Sequence, residues 1–461
     1  MMTTLCWSVS WPAGDREPGV PGRARAGGSG RGEEEGPEVR TPDSAADAPA
    51  RAIAPLRIAQ VAPPLERVPP AGYGGTERVV FELTAELVRR GHDVTVFASG
   101  DSEVPCRLVP TVEAALRPSG FGDDPSPYFL ETLAAVFARG REFDVVHSHL
   151  EWWSLALARA LAVPVASTFH GRLDVPWSRR LLAGRPSGLV AISRSQASVH
   201  PDVDWTIIHN GLALARMPTA AVPTDAFCFV GRVEASKGIL EAIEIAKLAG
   251  RPLRIAAKVG TTPDQQAYYE DVFRPAVARA GADVEYLGEL DDGDRDRLLA
   301  ESFAALMPGA WPEPFGLVAI EALACGTPVL ARRVGALPEI IRDGIDGFFG
   351  DDPMHLAFLA AGIAGLDRRA IRERVIERFS AARMADRYEE LFVRLVAGSR
   401  PDERMALRHP SPGLGTGFEE PPIGIVSRGD REPTATEGIA GGPVRPRDLA
   451  PVGPGRPGGE A

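Results

Sequence analysis

The chain has 461 residues and a formal net charge of −11. This length exceeds one ordinary hydrophobic core and suits two domains of about 150 residues each. The acidic balance argues against nucleic acid or an anionic membrane as the main partner. The four cysteines, Cys6, Cys106, Cys228 and Cys325, lack the close spacing of a metal site or disulfide framework. We therefore expect a cytoplasmic protein.

The two ends of the chain differ from its middle. Residues 1–54 and 398–461 are rich in glycine, proline and charged residues. Such segments cannot bury enough apolar surface to offset the entropy of ordering, so we expect both to be disordered tails. No apolar run approaches the roughly 20 residues that span a bilayer, so no transmembrane segment is expected. The opening also lacks the basic start and the apolar stretch of a signal peptide.

Between the tails, apolar strands alternate with amphipathic helices. The first half runs from strand "LRIAQVAP" through helix "TERVVFELTAELVRRG" to strand "WTIIHNG", and the second half restarts at "AFCFVGRV". This alternation predicts an α/β fold with two Rossmann-like, doubly wound domains, at residues 55–213 and 214–378. Ligands of such sheets bind at the carboxyl ends of the strands, so we expect a cleft between the two domains.

A glycine loop, "GYGG", lies between the first strand and the first helix. Gly72, Gly74 and Gly75 would let an anion such as phosphate approach backbone N–H groups at the positive end of the helix. The alternative is a turn that needs positive φ. The spacing differs from the G-x-G-x-x-G fingerprint of dinucleotide-binding proteins, which disfavours a nicotinamide dehydrogenase.

A second phosphate signal is "FVGRVEASKG" in the other half. We expect Ser236 to be a helix N-cap, which would place Lys237 in the first helical turn, where a cation is unfavourable against the helix dipole. A bound anion would compensate it, and Arg232 would complete a two-cation clamp on a diphosphate. The alternative is two solvated surface cations.

The most specific pattern is "MPGAWPEPFGLVAIEALACGTPV". Glu313 lies in a loop between two prolines, Phe315 and Gly316 open a helix, and Glu321 follows on that helix. Two carboxylates placed in this way suit the hydroxyls of one extended ligand. The alternative is a helix-start acid and a solvated acid, which the stiffening prolines around Glu313 make less attractive.

Other polar patterns have structural explanations. His147 and His149 alternate on one strand face and could bind zinc, but no third ligand is visible, so no metal site is expected. Trp152 and Trp153 are expected in the core rather than as an acceptor platform. The acidic run at residues 291–296 is expected to be a solvated helix start.

The quoted motifs, together with "TFHG" and "IHNG", resemble glycosyltransferase family 4 over residues 56–397. The segment "EPFGLVAIEALACGTPV" is the specific one, since it is a form of the family's E-x7-E element. The resemblance implies the GT-B fold, in which two Rossmann-like domains face a cleft. It also implies a retaining transferase that uses a nucleotide-sugar. Because relatives commonly begin with Met at the position of Leu56, we expect that translation starts there from an alternative codon.

The resemblance also implies roles for individual residues. The glycine loop would face the donor diphosphate, the two cations would bind it, Glu313 would meet the sugar, and Glu321 would hold the ribose. His170, at a strand end in "TFHG", matches a family active-site position, with a structural imidazole as the alternative. The expected catalytic residues are Glu313, His170, Arg232 and Lys237. The expected donor-binding residues are Gly74, Gly75, Arg232, Lys237, Glu313, Phe315, Gly316, Leu317 and Glu321.

The implied co-substrates are a UDP-glucose-like donor and a small-molecule, lipid or glycan acceptor. No metal or other cofactor is expected, because Arg232, Lys237 and a helix N-terminus would stabilise the leaving group. We favour front-face transfer over the double displacement of retaining glycosidases. The alternative function on the same fold is a nucleotide-sugar 2-epimerase or hydrolase, which needs no acceptor.

A last helix is expected at residues 379–397. By resemblance it crosses back from the second domain to pack on the first. Its apolar residues fall near one helical face. They are Ala382, Met384, Tyr388, Leu391 and Leu395.

Overall fold

The computed structural model describes residues 54–72, 74–121, 124–184 and 187–399. Apart from residues 54, 398 and 399, both expected tails lie outside the described residues. Within the described part of the chain, no helix is long and apolar enough to cross a membrane.

The first domain is built on a seven-stranded parallel sheet with the order β3-β2-β1-β4-β5-β6-β7. Its central strands are almost fully buried, as is typical of parallel strands that are covered on both faces. The strands are β1 Arg57–Val61, β2 Asp93–Ser99, β3 Arg107–Val112, β4 Val145–Ser148, β5 Val165–Phe169, β6 Leu189–Ala191 and β7 Thr206–Ile207.

Helices cover both faces of this sheet. They are α1 Gly75–Arg89, α2 Ser126–Arg139, α3 Ser154–Ala160, α4 Ser178–Leu182 and α5 Arg194–Ala197. The sequence pattern did not predict β3 or α2. Strand β3 lies at the sheet edge, contains Pro110 and is only partly buried, so it lacks the apolar run of a central strand.

The second domain has a six-stranded parallel sheet with the order β10-β9-β8-β11-β12-β13. Its strands are β8 Phe227–Arg232, β9 Leu253–Lys258, β10 Val284–Gly288, β11 Ala304–Met307, β12 Val329–Ala331 and β13 Gly347–Phe349. In each sheet the strand order reverses between two central strands, β1 and β4 or β8 and β11. This is the doubly wound arrangement that the alternating pattern predicted.

The helices of the second domain are α6 Ile239–Ala249, α7 Pro263–Ala267, α8 Arg274–Ala280, α9 Asp292–Glu301, α10 Leu317–Ala324, α11 Leu337–Ile340, α12 Pro353–Leu359 and α13 Arg368–Phe379. A π-helical segment, Tyr268–Phe273, joins α7 to α8, so the single helix predicted there has three parts. The pattern did not predict β13 or α13.

Helix α14, Ala381–Gly398, leaves the second domain and packs against α1, β4 and β5 of the first. The Tyr388 hydroxyl lies 2.9 Å from Thr168 Oγ1, and Glu389 Oε1 lies 2.8 Å from His92 Nε2. Ala382, which we had expected on the apolar face, is exposed, whereas Ala385 is buried. The other four expected residues lie on the buried side of the helix, so the periodicity is correct and only Ala382 was assigned to the wrong face.

Candidate functional site

An ion pair lies at the carboxyl ends of β8 and β11. Lys237 Nζ pairs with Glu313 Oε1, and the two side chains are only 17% and 20% exposed. Backbone contacts hold both residues in place. A Cβ on Gly238, which has φ +74°, would lie 2.5 Å from Gly309 N, and one on Gly335 would lie 2.4 Å from Glu313 N. Only glycine fits at these close approaches, so the ion pair rests on a tightly packed pair of loops.

The helix start at this site differs from the prediction. Residues 235–237 form a 3₁₀ turn, and α6 begins at Ile239 with Gly238 as its N-cap. Ser236 is therefore not the N-cap, and Lys237 lies before the first turn of α6. The left-handed conformation of Gly238 ends the 3₁₀ turn and begins α6. Arg232, at the end of β8, pairs with Glu234 at 2.8 Å.

The loop after Glu313 leads directly into α10. Gly316, with φ +107°, is the N-cap, and the helix begins at Leu317. Phe315 is buried and packs between His209 and Phe379, with ring centroids 5.8 Å from each. Phe315 therefore anchors the loop in the core between the two domains.

Glu321 is buried rather than solvated, with 3% of its surface exposed. Its Oε1 lies 2.5 Å from Arg78 Nη1 and 3.7 Å from Arg295 Nη2. Arg78 belongs to α1 of the first domain and also contacts Asp292 at 2.6 Å. The acidic run is therefore more than a solvated helix start: Asp291 caps α9 through Asp294 N, and Asp292 joins an ion-pair network between the domains.

The glycine loop lies against the second domain. Gly74 is the N-cap of α1 with φ 176°, which is extended backbone, so positive φ does not explain this glycine. The lack of space for a side chain explains it instead, because a Cβ on Gly74 would lie 2.6 Å from Pro70 Cβ. A Cβ on Gly75 would lie 3.1 Å from Leu317 Cδ1. The N-termini of α1 and α10 therefore meet across the cleft.

A chain of buried polar side chains lies at the strand ends of the first domain. His170 Nε2 and His149 Nδ1 are hydrogen-bonded at 2.8 Å, and His149 Nε2 lies 3.1 Å from Gln60 Oε1. Burial lowers the pKa of His170 to about 4. The imidazole of His170, directly after β5, is therefore neutral at physiological pH.

The neighbouring residues have structural partners. His147 Nε2 lies 2.8 Å from Thr168 Oγ1, and Trp152 belongs to an apolar cluster. Trp153 stacks on Phe129 with a centroid distance of 5.6 Å. Among the residues that the structure describes, no group of three or more His, Cys, Asp or Glu side chains is placed to hold a metal ion.

Sequence reasoning missed Glu151, which follows β4. Its φ of +52° is rare for a residue other than glycine, and such strained residues cluster at functional sites. Its Oε1 accepts hydrogen bonds from the backbone N–H groups of His170 and Gly171, at 2.9 and 3.0 Å. Burial raises its pKa to about 7. The signal in the sequence was an acid directly after the "HSHL" strand end.

Two residues in the first turn of α1 were also missed. Arg78 is the partner of Glu321 in the ion pair between the domains. Glu77 is buried, and burial raises its pKa to about 7. Both belong to the "GYGGTER" segment, in which we had considered only the glycines. A charged pair directly after a glycine loop was the available signal.

Both domains match models of glycosyltransferase families. Residues 73–216 match the family model described as Glycosyltransferase Family 4, and residues 220–379 match that described as Glycosyl transferases group 1. The chain is 30% identical over 404 residues to a glycogen synthase of Mycobacterium tuberculosis, covering 74% of this chain and 96% of the relative. It is 29% identical over 371 residues to a D-inositol 3-phosphate glycosyltransferase of Mycobacterium avium, covering 67% and 85%.

Solved structures show the same architecture. The crystal structure of AviGT4, a glycosyltransferase involved in avilamycin A biosynthesis, matches with a TM-score of 0.57 and 28% identity, over 75% of this chain and 99% of that chain. A sucrose-phosphate synthase from Thermosynechococcus elongatus matches the fold with a TM-score of 0.58. The predicted GT-B fold is thereby confirmed. The chain belongs to glycosyltransferase family 4 and is a glycosyltransferase.

Proposed function

We propose that this protein transfers a hexose from a nucleotide-sugar, specifically UDP-glucose, to a hydroxyl group of an acceptor, with retention of the anomeric configuration. The observation that carries the proposal is the Lys237–Glu313 ion pair, which lies in the loop before α10, the helix whose first residue faces the glycine loop of the other domain. The names of two relatives refer to glycogen and to D-inositol 3-phosphate. Both are rich in hydroxyl groups, which supports an acceptor of that kind.

The donor diphosphate would bind between the two domains. Lys237 and Arg232 supply positive charge from the end of β8, and the first amides of α10 supply the positive end of a helix. Departure of the nucleotide builds negative charge on the diphosphate, and these groups stabilise it. In the proposed mechanism they do this without a metal ion. Transfer is therefore expected to persist in excess EDTA.

The two glutamates would hold the rest of the donor. Glu313 would accept hydrogen bonds from the sugar, and its negative charge would stabilise the positive charge that develops at the anomeric carbon. It contacts Lys237, so it would lie where the sugar joins the diphosphate. Glu321 would bind the ribose hydroxyls. A carboxylate has about four lone-pair sites, so Glu321 can contact Arg78 and a ribose together.

The acceptor would bind on the first domain. A neutral His170 suits a hydrogen bond to a hydroxyl group, and Glu151 fixes the backbone of His170. In the front-face step, the acceptor oxygen forms a bond to C1 while the bond from C1 to the β-phosphate oxygen breaks. The proton of the acceptor passes to that phosphate oxygen, and the products are the glycoside and UDP. This step requires no protein nucleophile.

A panel of nucleotide-sugars tests the donor assignment. A ligand at 100 times its dissociation constant stabilises the folded protein by about 2.7 kcal/mol. We expect this thermal stabilisation from UDP-glucose and less from GDP- and ADP-sugars. A stronger effect of a GDP- or ADP-sugar would overturn the choice of base. Fractionation of the native cells would test the cytoplasmic location expected from the sequence.

Product analysis tests the reaction itself. With UDP-glucose and a panel of sugar, inositol and glucan acceptors, we expect an α-linked product, identified by the NMR coupling of its anomeric proton. A β-linked product would exclude retention. The acceptor-free reaction is the control, because rapid release of free sugar or of an epimer there would favour the 2-epimerase or hydrolase alternative.

A further inference from the structure

The two domains are connected by two chain crossings that pair with each other. The first crossing follows β7, and the second joins α13 to α14 at Ser380. Leu212 N donates to Phe379 O at 3.1 Å, and Ala381 N donates to Leu212 O at 2.9 Å. We call this paired region the hinge, defined by residues 208–213 and 378–384.

A cavity of about 600 Å³ lies beside the hinge. This volume falls within the usual range of small-molecule sites. Both crossings line the cavity. The first contributes His209 and Asn210, the second contributes residues from Glu377 to Ser380 and three residues of α14, and Arg194 of α5 completes the lining. The residues proposed to bind the donor, such as Lys237, Glu313 and Glu321, are not among those that line it.

The lining of the cavity is strongly basic. It contains four arginines, Arg194, Arg378, Arg383 and Arg387, and one acid, Glu377. Acids near its edge neutralise these arginines only weakly. Arg387 forms an exposed pair with Glu390 at 3.1 Å, and such pairs contribute little.

The charge of Arg383 is only weakly neutralised by neighbouring acids. Its nearest ion-pair partner is Asp386, at 3.9 Å. The carboxylate of Asp386 has a closer partner in Arg90, at 2.8 Å. Arginines grouped in this way suit an anion such as phosphate, which their planar donors bind in a bidentate manner.

Asn210 adds a second, independent feature. It lines the cavity, is 97% buried, and its Oδ1 has no hydrogen-bond partner among the described residues. A buried acceptor without a partner is unfavourable, and a ligand hydroxyl would satisfy it. The combination of arginines with an amide oxygen favours a ligand that carries both phosphate and hydroxyl groups.

The cavity is also connected to the donor loop. His209 Nε2 lies 3.0 Å from Glu339 Oε2. The Glu339 carboxylate also accepts hydrogen bonds from the backbone N–H groups of Arg194 and Ser195. The ring of His209 packs on Phe315, two residues after Glu313. A ligand in the cavity would therefore touch both crossings and a side chain that supports the donor loop.

We propose that the hinge cavity is a binding site for a small phosphorylated polyol, separate from the donor and acceptor sites. Arg194, Arg383 and Arg387 bind the phosphate, and Asn210 accepts a hydrogen bond from a hydroxyl group. Arg378 donates to the backbone carbonyls of Ile340 and Glu339 and borders the cavity.

Calorimetry with sorbitol 6-phosphate tests the proposal on the full chain. We expect saturable binding, with sorbitol and inorganic phosphate each at least tenfold weaker. The double variant Arg383→Ala/Arg387→Ala is expected to weaken binding at least tenfold. Arg369→Ala, an exposed arginine of α13 that does not line the cavity, is the matched control and should bind as the unaltered protein does. Lys237→Ala should also retain binding.

Three results would overturn the proposal. Equal binding by the double variant would remove the arginines from the site. Loss of binding in Lys237→Ala would place the probe in the donor cleft instead. Inorganic phosphate that binds as tightly as sorbitol 6-phosphate would remove the role of Asn210 and the assignment of a polyol. Each variant's melting temperature would show whether it is folded.

Discussion

The two sides of the cleft differ in the charge state of their side chains. On the second domain, the charged side chains are held in ion pairs: Lys237 pairs with Glu313, and Glu321 pairs with Arg78 of the first domain. On the first domain, burial shifts pKa values toward the uncharged forms, to about 4 for His170 and about 7 for Glu151. A charged diphosphate fits the first kind of surface and a neutral hydroxyl the second. The comparison therefore suggests which side holds the donor and which the acceptor.

The largest effect is expected from the charged side. Lys237→Ala should lower the transfer rate about a hundredfold and weaken UDP about tenfold, because charge-assisted hydrogen bonds contribute about 1.5–3 kcal/mol and the negative charge grows as the nucleotide leaves. Transfer kinetics and calorimetry measure both quantities. Lys247→Ala, exposed on α6, is the control. Normal turnover by Lys237→Ala would mean that the lysine is only a structural partner of Glu313.

Variants of the two glutamates test which part of the donor each carboxylate binds. Glu313→Gln should lower turnover about ten- to hundredfold with little change in UDP affinity, because its proposed partner is the transferred sugar. Glu321→Ala should instead weaken UDP about tenfold, because the ribose is present with or without the sugar. The same calorimetric titrations decide the matter. Equal losses of UDP affinity in the two variants would show that the donor is placed wrongly.

The raised pKa of Glu151, on the first-domain side of the cleft, predicts that the free energy of unfolding depends on pH. The pKa of Glu151 is about 7 in the folded protein, against an ordinary value of 4.5. Its contribution to stability is therefore complete below pH 4.5 and is lost as the pH rises toward 7. Since a glutamine side chain does not titrate, the stability of the unaltered protein relative to Glu151→Gln should fall by about 1–2 kcal/mol over that interval, with allowance for partial exposure.

Denaturant unfolding at a series of pH values measures this difference. Glu131→Gln, at an exposed position of α2, is the control and should show no such trend. A difference that grew with rising pH would give the opposite sign. It would show that Glu151 is held as a carboxylate, and the contrast between the two sides of the cleft would be lost.

The smallest effect concerns the contact between the two sides. Arg78 and the ribose would share the Glu321 carboxylate, and the cation draws negative charge away from the oxygens that accept hydrogen bonds from the ribose, so Arg78→Ala should strengthen UDP binding about two- to fivefold, or about 0.5–1 kcal/mol. Arg89→Ala, exposed on the same helix, should leave the affinity unchanged. Weaker binding by Arg78→Ala would mean that the arginine orients Glu321 for the ribose rather than competing with it.

The site residues on the second domain could be selected from the sequence because they follow one another at short spacing. Glu313 and Glu321 flank a helix start, and Lys237 follows a strand and precedes a helix. Arg78 could not be paired with Glu321 in this way, since 243 residues separate them. Glu151 is distinguished by its backbone conformation and burial, and neither is visible in a residue pattern.

The same limit applies to the fold. Long apolar strands and amphipathic helices were predicted because their periodicity is strong. Helix α13 was missed because most of its residues are charged and only Ile371, Val375 and Phe379 are buried. The cap of α6 was placed wrongly because serine is a common N-cap, whereas here the left-handed Gly238 takes that place.

The position of helix α14 in the chain determines the order in which the two domains are completed during synthesis. The first sheet is complete at Ile207, but the helix that covers part of it begins at Ala381, roughly 170 residues later. At a synthesis rate of about 5–20 residues per second, this interval lasts roughly 10–35 s. During that time Thr168 and His92 lack their partners on Tyr388 and Glu389. On the ribosome, the domain that is translated first is therefore the one that is finished last.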